Sequence, residues 1–277
     1  MQRIVKEIPL DCELVFLGDT HGGSKLTHYS GIREIIDYIE LKKDVYWMHG
    51  GDWIEAVTTD DKRFNPEICE EPIPFKQADE MIELFSRIGK CGVVGLGGNH
   101  ELKLHRFGNL AEYICKMLCI PYGTRSARVA FTHKGKRLFN VFITHDIPIL
   151  RSNAKDVIQA EANIKAALKQ SLYKRLGDCA VMIAHHAHQL ITIDPHPGLY
   201  LVDTPKGVKQ HYLQPDMGGK DKYINPDQRF YGCAGSFRKR YVDGVDDYSD
   251  IYAPNELGCL IAKVEGGKVK SLRKFIV

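Results

Sequence analysis

Five short apolar runs in this chain end in residues able to bind a cation. Three lie in the first half, each broken by glycine: Gly18-Asp19-Thr20-His21-Gly22-Gly23, Gly50-Gly51-Asp52 and Gly97-Gly98-Asn99-His100-Glu101. Two follow later, Thr144-His145-Asp146 after the run Leu138 to Ile143, and His185-His186-Ala187-His188 after Ala180 to Ala184. The carboxyl end of a buried strand is where α/β sheets bind ligands. Glycine there lets the backbone turn sharply, so side chains from neighbouring strands can converge. In an extended segment His186 and His188 point to one side, and His185 faces away.

Together the blocks offer Asp19, His21, Asp52, Asn99, His145, His186 and His188. A mixed oxygen and imidazole set without thiolate suits Mn²⁺, Fe or Zn²⁺ better than Ca²⁺ or a cysteine-type structural zinc site. The set is too large for one tetrahedral ion and fits two ions sharing a carboxylate, the layout of a two-metal hydrolytic centre. Ions about 3.5–4 Å apart would share a bridging water and lower its pKa toward neutrality, presenting a hydroxide as nucleophile.

The blocks GDTH, GGD, GNHE, THD and HAH, in this order between residues 18 and 188, resemble the calcineurin-like metallophosphoesterase superfamily. Any one block is weak evidence, whereas all five in order after predicted strands are specific. The resemblance implies a four-layer α/β/β/α sandwich with the metal site at the sheet edge. It assigns Asp19, His21 and His188 to a first metal, Asn99, His145 and His186 to a second, and Asp52 to both. His100 matches the motif histidine that contacts phosphate and protonates the leaving oxygen. Glu55 matches the position at which phosphoprotein phosphatases of the superfamily place an acid that orients this histidine. Those phosphatases continue as GDxxDRG, whereas this chain reads Gly51-Asp52-Trp53-Ile54-Glu55-Ala56-Val57. The missing arginine argues against a protein phosphatase, and the H-x-H ending is similar to the phosphodiesterase and nuclease branches, including phage and prophage phosphoesterases. The expected function is hydrolysis of a phosphodiester, in a nucleotide or nucleic acid. The alternatives are a phosphomonoesterase on a small metabolite or phosphoprotein, and a non-catalytic scaffold of the same fold; a scaffold would have lost ligands, and here every ligand position is filled.

The elements that must position these blocks follow from periodicity. The first half alternates strands with helices: Glu13 to Leu17, a helix carrying Ile32, Ile35, Ile36 and Ile39, then Val45 to Met48. A helix over Lys76 to Ile88 and a strand over Val93 to Leu96 follow, then a helix marked by Leu110, Ile114, Met117 and Leu118 and stopped by Pro121. Val129 to Phe131 and Leu138 to Ile143 flank HKGKR as a hairpin. A long helix is expected over Val157 to Leu176, then strands over Ala180 to Ala184, Leu190 to Ile193, Leu199 to Val202, Val208 to Leu213, Cys259 to Val264 and Val269 to Phe275. The segment Tyr231 to Phe237 resembles the N-x-G-S-hydrophobic segment that follows the H-x-H block in this superfamily, with Cys233 where an Asn is common, and the resemblance implies that it closes the sandwich. Val57 to Pro74 and Pro215 to Phe230 are long connections, candidates for binding loops.

Composition sets the outer bounds. The chain has 277 residues, 44% hydrophobic and 26% charged, which suits a globular protein and excludes disorder, collagen and coiled coil. One domain over residues 1–277 is expected, because no low-complexity stretch or internal repeat divides it. No apolar run reaches the roughly 18 residues of a membrane span, and the start MQRIVKEIPLDCELVF lacks signal-peptide features, so a cytoplasmic protein without a membrane partner is expected. A net charge of +3 is too mild to mark a nucleic-acid binder by itself, and the sequence leaves homo-oligomerisation open. The eight cysteines contain no C-x-x-C and are expected to be reduced, with Cys115 and Cys119 both facing the core. Arg106 is a candidate phosphate clamp, with a plain salt bridge as the competing reading, and Lys62, Arg63, Arg238 and Arg240 lie in loops. The basic, aromatic run Phe237 to Tyr241 could track a phosphate backbone, with a solvated strand face as the commoner reading. The other histidines, His49, His105 and His185 among them, are expected to be structural or on the surface.

Overall fold

The computed structural model describes residues 1–213, 222–245 and 253–277. In chain order its elements are β1 (Gln2–Glu7), β2 (Cys12–Leu17), α1 (Tyr29–Leu41), β3 (Val45–His49), α2 (Pro74–Ser86), β4 (Gly92–Gly95), α3 (Asn99–Leu102) and α4 (Leu110–Met117). The hairpin β5 (Ser126–His133) and β6 (Lys136–Thr144) precedes α5 (Val157–Leu172) and β7 (Val181–Ala184). Then come β8 (Leu190–Ile193), β9 (Gly198–Thr204), β10 (Gly207–Leu213), β11 (Phe230–Ala234), β12 (Gly258–Glu265) and β13 (Lys268–Ile276).

Two sheets form the middle of the molecule. A six-stranded sheet runs β1-β5-β6-β7-β11-β8 and a five-stranded sheet β13-β12-β2-β3-β4. The β2-β3-β4 and β6-β7-β11 sets are each parallel. Strand alternation divides the side chains between layers. Leu14 and Phe16 of β2 join Leu260 and Ala262 of β12 and Val141, Ile143, Val181 and Ile183 of the other sheet in a core between the sheets. Their neighbours Val15, Leu17 and Ile261 face outward into a second core under α1, α2 and α4, where Ile32, Ile35, Ile36 and Ile39 recur at helical spacing. Phe142, Met182 and Ala184 face α5 through Leu168 and Leu172. The order is helices, sheet, sheet, helix: a four-layer α/β/β/α sandwich, as expected.

Most elements fall where the periodicity places them, and the differences have physical causes. β1 is an edge strand paired only with β5 and exposed at Val5, so it carries no buried run to betray it. The long helix stops at Leu172 rather than Leu176, because the carbonyls of Tyr173, Leu176 and Gly177 turn inward to accept hydrogen bonds from the fully buried Arg229 guanidinium. Cys115 is buried as expected, but Cys119 is exposed: it lies just past α4 with φ +56°, after the helical register has ended. All eight cysteines are free thiols. Tyr231 to Ala234 is the greater part of β11, which fills the gap between β7 and β8 and so closes the six-stranded sheet. β9 and β10 form a separate two-stranded hairpin with mostly exposed side chains. Residues 215–221 of the expected Pro215 to Phe230 loop lie outside the described residues. No helix among the described residues is long and apolar enough to cross a membrane.

Candidate metal centre

All five polar blocks meet at one edge of the sandwich, past the carboxyl ends of β2, β3, β4, β6 and β7. The loops after β2 and β3 are zipped by main-chain bonds: Gly50 N–H donates to Leu17 O at 2.8 Å, Asp19 N–H to Gly51 O at 2.9 Å and His21 N–H to Asp52 O at 3.0 Å. The loop after β4 presses closely on that after β3; a Cβ placed on Gly98 would lie 1.9 Å from Asp52 Oδ1, so only glycine fits there. His145 spans the two sheets by donating from Nδ1 to Gly50 O at 2.8 Å. Asp19, His21, Asp52, His186 and His188 all have left-handed backbones, with φ between 51° and 74°. Five non-glycine residues in that region, all at one spot, mark strain held by the surrounding structure for a site.

Three groups of candidate ligands meet here: His21, Glu55 and His100 form one, and the other two share Asp52. Asp19, His21, Asp52 and His188 bring one ligand atom each within 4.8 Å of one another, and Asp52, His145 and His186 do the same. In the first of these two His21 Nε2 faces His188 Nε2 at 3.2 Å, and His188 Nε2 lies 3.3 Å from Asp19 Oδ1. In the second, His145 Nε2 lies 3.3 Å from Asp52 Oδ2 and 3.0 Å from Asn99 Oδ1. With Nδ1 of His145 committed to a carbonyl, its Nε2 is the atom turned to the Asp52 and Asn99 oxygens, so a cation that displaces the Nε2 proton would meet donors on every side. Such a cluster of converging acceptors fits a cation, and a divalent ion in each of the two groups that share Asp52 would satisfy it.

The charge balance agrees. Burial alone would raise the Asp19 carboxyl, but His185 and His188 more than offset it and hold it well below the usual range. Burial likewise opposes the Asp52 carboxylate, and His145 and His100 overcome it. Burial pulls His21 down to about 4, leaving it a neutral ligand at pH 7. For His145 burial lowers the value and the Asp52 carboxylate outweighs it, lifting it to about 9.

Supporting residues lie just behind the donors. Glu55, 7% exposed, places Oε2 2.9 Å from His21 Nδ1 and 3.3 Å from Arg238 Nε. The His21 contact is close but not aligned as a full hydrogen bond. His100 Nδ1 instead meets the main-chain carbonyl of Glu55. Residue 55 therefore does touch His100, but through its backbone, while its carboxylate serves His21 and Arg238. Arg238 is 2% exposed, which corrects the expectation of a solvated strand face: Phe237 to Tyr241 is not a strand, and its first arginine is drawn inward by Glu55. Ser236 Oγ and Phe237 N–H both donate to Asp19 O at 3.0 Å, so the segment after β11 also braces the site.

Two supporting groups had a weaker sequence signal. Glu101, the last residue of the GNHE block, accepts from Trp53 N–H at 2.6 Å and Gly98 N–H at 2.8 Å, tying the loops that carry Asp52 and Asn99. Burial and the Asp52 charge raise its carboxyl to about 7. Its spacing of three from Gly98 is that of a helix-capping glutamate, a signal the sequence does contain. His185, fully buried, fills the space over Gly50 and Gly18, where added Cβ atoms would approach its ring to 2.0 and 2.6 Å. It lies 3.5 Å from Asp19 Oδ2. β7 ends at Ala184 and the backbone is left-handed at His186 and His188, so strand alternation does not set these directions; His185 lies outside both donor groups and packs beneath them. His49 is a structural histidine, stacked on Trp53 with ring centroids 3.4 Å apart.

A cleft of about 560 Å³ opens over the donors, lined by Asp52, Asn99, His100, His186 and His188 together with Arg63, Arg151, Arg238 and Arg240. Arg106 lies on a 3₁₀ turn with its guanidinium 3.1 Å from Asp60, an exposed pair outside that lining. Lys62 is exposed in the Val57 to Pro74 segment, and Arg63 pairs with Asp61 at 2.6 Å.

The four layers and the five blocks gathered at one edge bear out the resemblance to the calcineurin-like metallophosphoesterase superfamily. No family model matches the chain, and no curated protein matches it. Solved structures similar to it include an NAD nucleotidase of Haemophilus influenzae, 13% identical with a TM-score of 0.44 over 95% of this chain and 49% of that one. This chain thus spans about half the length of the nucleotidase. It is also similar to the calcineurin-like phosphoesterase YfkN from Bacillus subtilis (13% identity, TM-score 0.38, 89% of this chain and 93% of that one). A third is the nuclease MPE of Pseudomonas putida (10% identity, TM-score 0.33, 92% and 85% covered). At such values the centre stands on this chain's own geometry.

Proposed function

We propose that this protein is a phosphoester hydrolase dependent on two divalent metal ions, Mn²⁺ first, with a phosphodiester of a nucleotide or nucleic acid as substrate. The observation that carries it is Asp52: its carboxylate belongs both to the group with Asp19, His21 and His188 and to the group with His145 and His186. When bound there, two cations supply a polarised water as nucleophile and neutralise charge on the phosphoryl oxygens.

The chain's own residues do the rest. Asn99 joins the second donor group through Oδ1 and faces the cleft. Glu55 holds the Nδ1 side of His21, leaving Nε2 toward His188 and the cleft, the carboxylate–histidine support that orients metal-bound imidazoles. His100 is the general acid. Its Nδ1 faces the Glu55 carbonyl, which only accepts, so Nδ1 carries a proton; acting from the imidazolium form, the ring gives its Nε2 proton to the departing alkoxide and is left neutral with Nδ1–H still on the carbonyl. Its N–H to Asp52 Oδ1, at 2.9 Å, fixes the ring's base against the shared carboxylate. The H-x-H ending, the absent DRG arginine and the arginines lining the cleft support a diester over a phosphoprotein.

The test is paired hydrolysis of bis-p-nitrophenyl phosphate and p-nitrophenyl phosphate by Mn²⁺-loaded protein, with metal content measured and Asp52→Asn as the blank. The diester is expected to turn over faster. Faster monoester cleavage would replace the reading with a phosphatase, and absent metal and turnover would leave a scaffold.

A further inference from the structure

We propose that a second groove, opening off the metal cleft, binds the organic group esterified to the substrate's phosphate, an uncharged moiety of nucleoside size. This rests on the phosphoesterase reading above. The groove encloses about 640 Å³ and is continuous with the metal cleft, sharing Ile164, His188, Gln189, Arg240 and Ala253 with it. A substrate whose phosphate sits at His188 therefore extends directly into it.

Its chemistry differs from that of the cleft. Val157, Ala160 and Ile164, spaced three and four apart on α5, form one wall; Leu190 and Ile191 of β8 with Pro254 complete the apolar surface. Two lysines reach it, and each is matched by an acid: Lys165 pairs with Glu161 at 2.6 Å, and Lys274 with Glu256. Arg240 stands at the junction, where its Nη1 donates to Ala253 O at 2.7 Å and ties the 253–256 segment into the wall. Positive charge thus accumulates over the donors, whereas the groove beyond joins an apolar wall to polar side chains and two Lys–Glu pairs. A polynucleotide running along it would bring its next phosphate to two lysines already matched by Glu161 and Glu256. A single nucleoside would instead cover the exposed Val157 and the α5 stripe, gaining apolar burial with its polar edge on Gln189, Thr192 and Asn255.

The experiment compares binding of a nucleoside 5′-phosphonate and of methylphosphonate to Mn²⁺-loaded protein by calorimetry, so that no turnover is needed. Wild type is expected to bind the nucleoside compound at least about tenfold more tightly. Ala160→Trp, which fills the groove, is expected to collapse that ratio toward one while Mn²⁺ is still taken up. Val157→Asp, at an exposed position, is expected to lower it about threefold, and serves if the tryptophan variant does not fold. A wild-type ratio near one, or a ratio that neither variant moves, would overturn the groove while leaving the metal site standing. Failure to take up Mn²⁺ or to bind methylphosphonate would instead overturn the phosphoesterase reading, and the groove with it. Tighter binding of an oligonucleotide than of the nucleoside compound would assign the groove to a polymer and sink the inference.

Discussion

The two sheets contribute unlike halves to the centre. The five-stranded sheet delivers all the oxygen donors, Asp19, Asp52 and Asn99, with His21 and His100, from three loops locked to one another by main-chain bonds and by Glu101. The six-stranded sheet delivers only imidazoles. His145 is anchored to Gly50, while His186 is tied by its N–H to Asp19 at 3.2 Å and His188 keeps 18% of its side chain exposed. One half is held together by its own bonds. In the proposed enzyme, bound ions would tie the imidazoles of the other half to it as well as supply chemistry.

The most severe way to test that contrast is at the one residue both donor groups share. Asp52→Asn is expected to cut turnover at least about 1,000-fold, roughly 4 kcal/mol of barrier, and to lower metal content to less than one ion per chain by elemental analysis. Stripping the ions should follow in size. At about 100 times its dissociation constant each ion stabilises by about 2.7 kcal/mol, so chelation is expected to lower the melting temperature on the order of 10 °C. In the stripped protein, hydrogen exchange should quicken over residues 185–189 and stay slow over 18–22 and 97–101; equal loosening of both halves would break the comparison. Next, Glu55→Gln is expected to weaken metal binding about 10- to 100-fold through His21, read by titration calorimetry. Glu101→Gln loses one acceptor for two buried N–H groups and should cost about 1–3 kcal/mol in denaturant unfolding. The smallest effect is on pH. His145 is held protonated up to about 9 by Asp52, so metal binding must displace its proton; Mn²⁺ affinity should rise with pH until about 9 and level off above it.

Much of this centre is legible in the sequence because its information is local. Each donor follows directly on a strand whose apolar run declares it, and the seven donors of the blocks do converge, Asp19 and His188 from opposite ends of the list included. The supports are harder to read. Glu55 and Arg238 stand 183 positions apart and meet only because β11 returns beside β7. Which atom of residue 55 faces His100 depends on the turn after Asp52, where Asp52 and Ala56 are left-handed.

By itself, then, the sequence determined the alternation of strands and helices and the identity of the groups that could bind metal, since period and residue type are properties of short stretches; the four layers followed only from the family resemblance. Tertiary structure alone decided that Arg238 turns inward, that His185 fills the space left by Gly18 and Gly50, that Cys119 faces water, and that a groove with an apolar wall on α5 adjoins the cleft over the donors. Those outcomes depend on which distant segments exclude water from one another, and no short stretch encodes that.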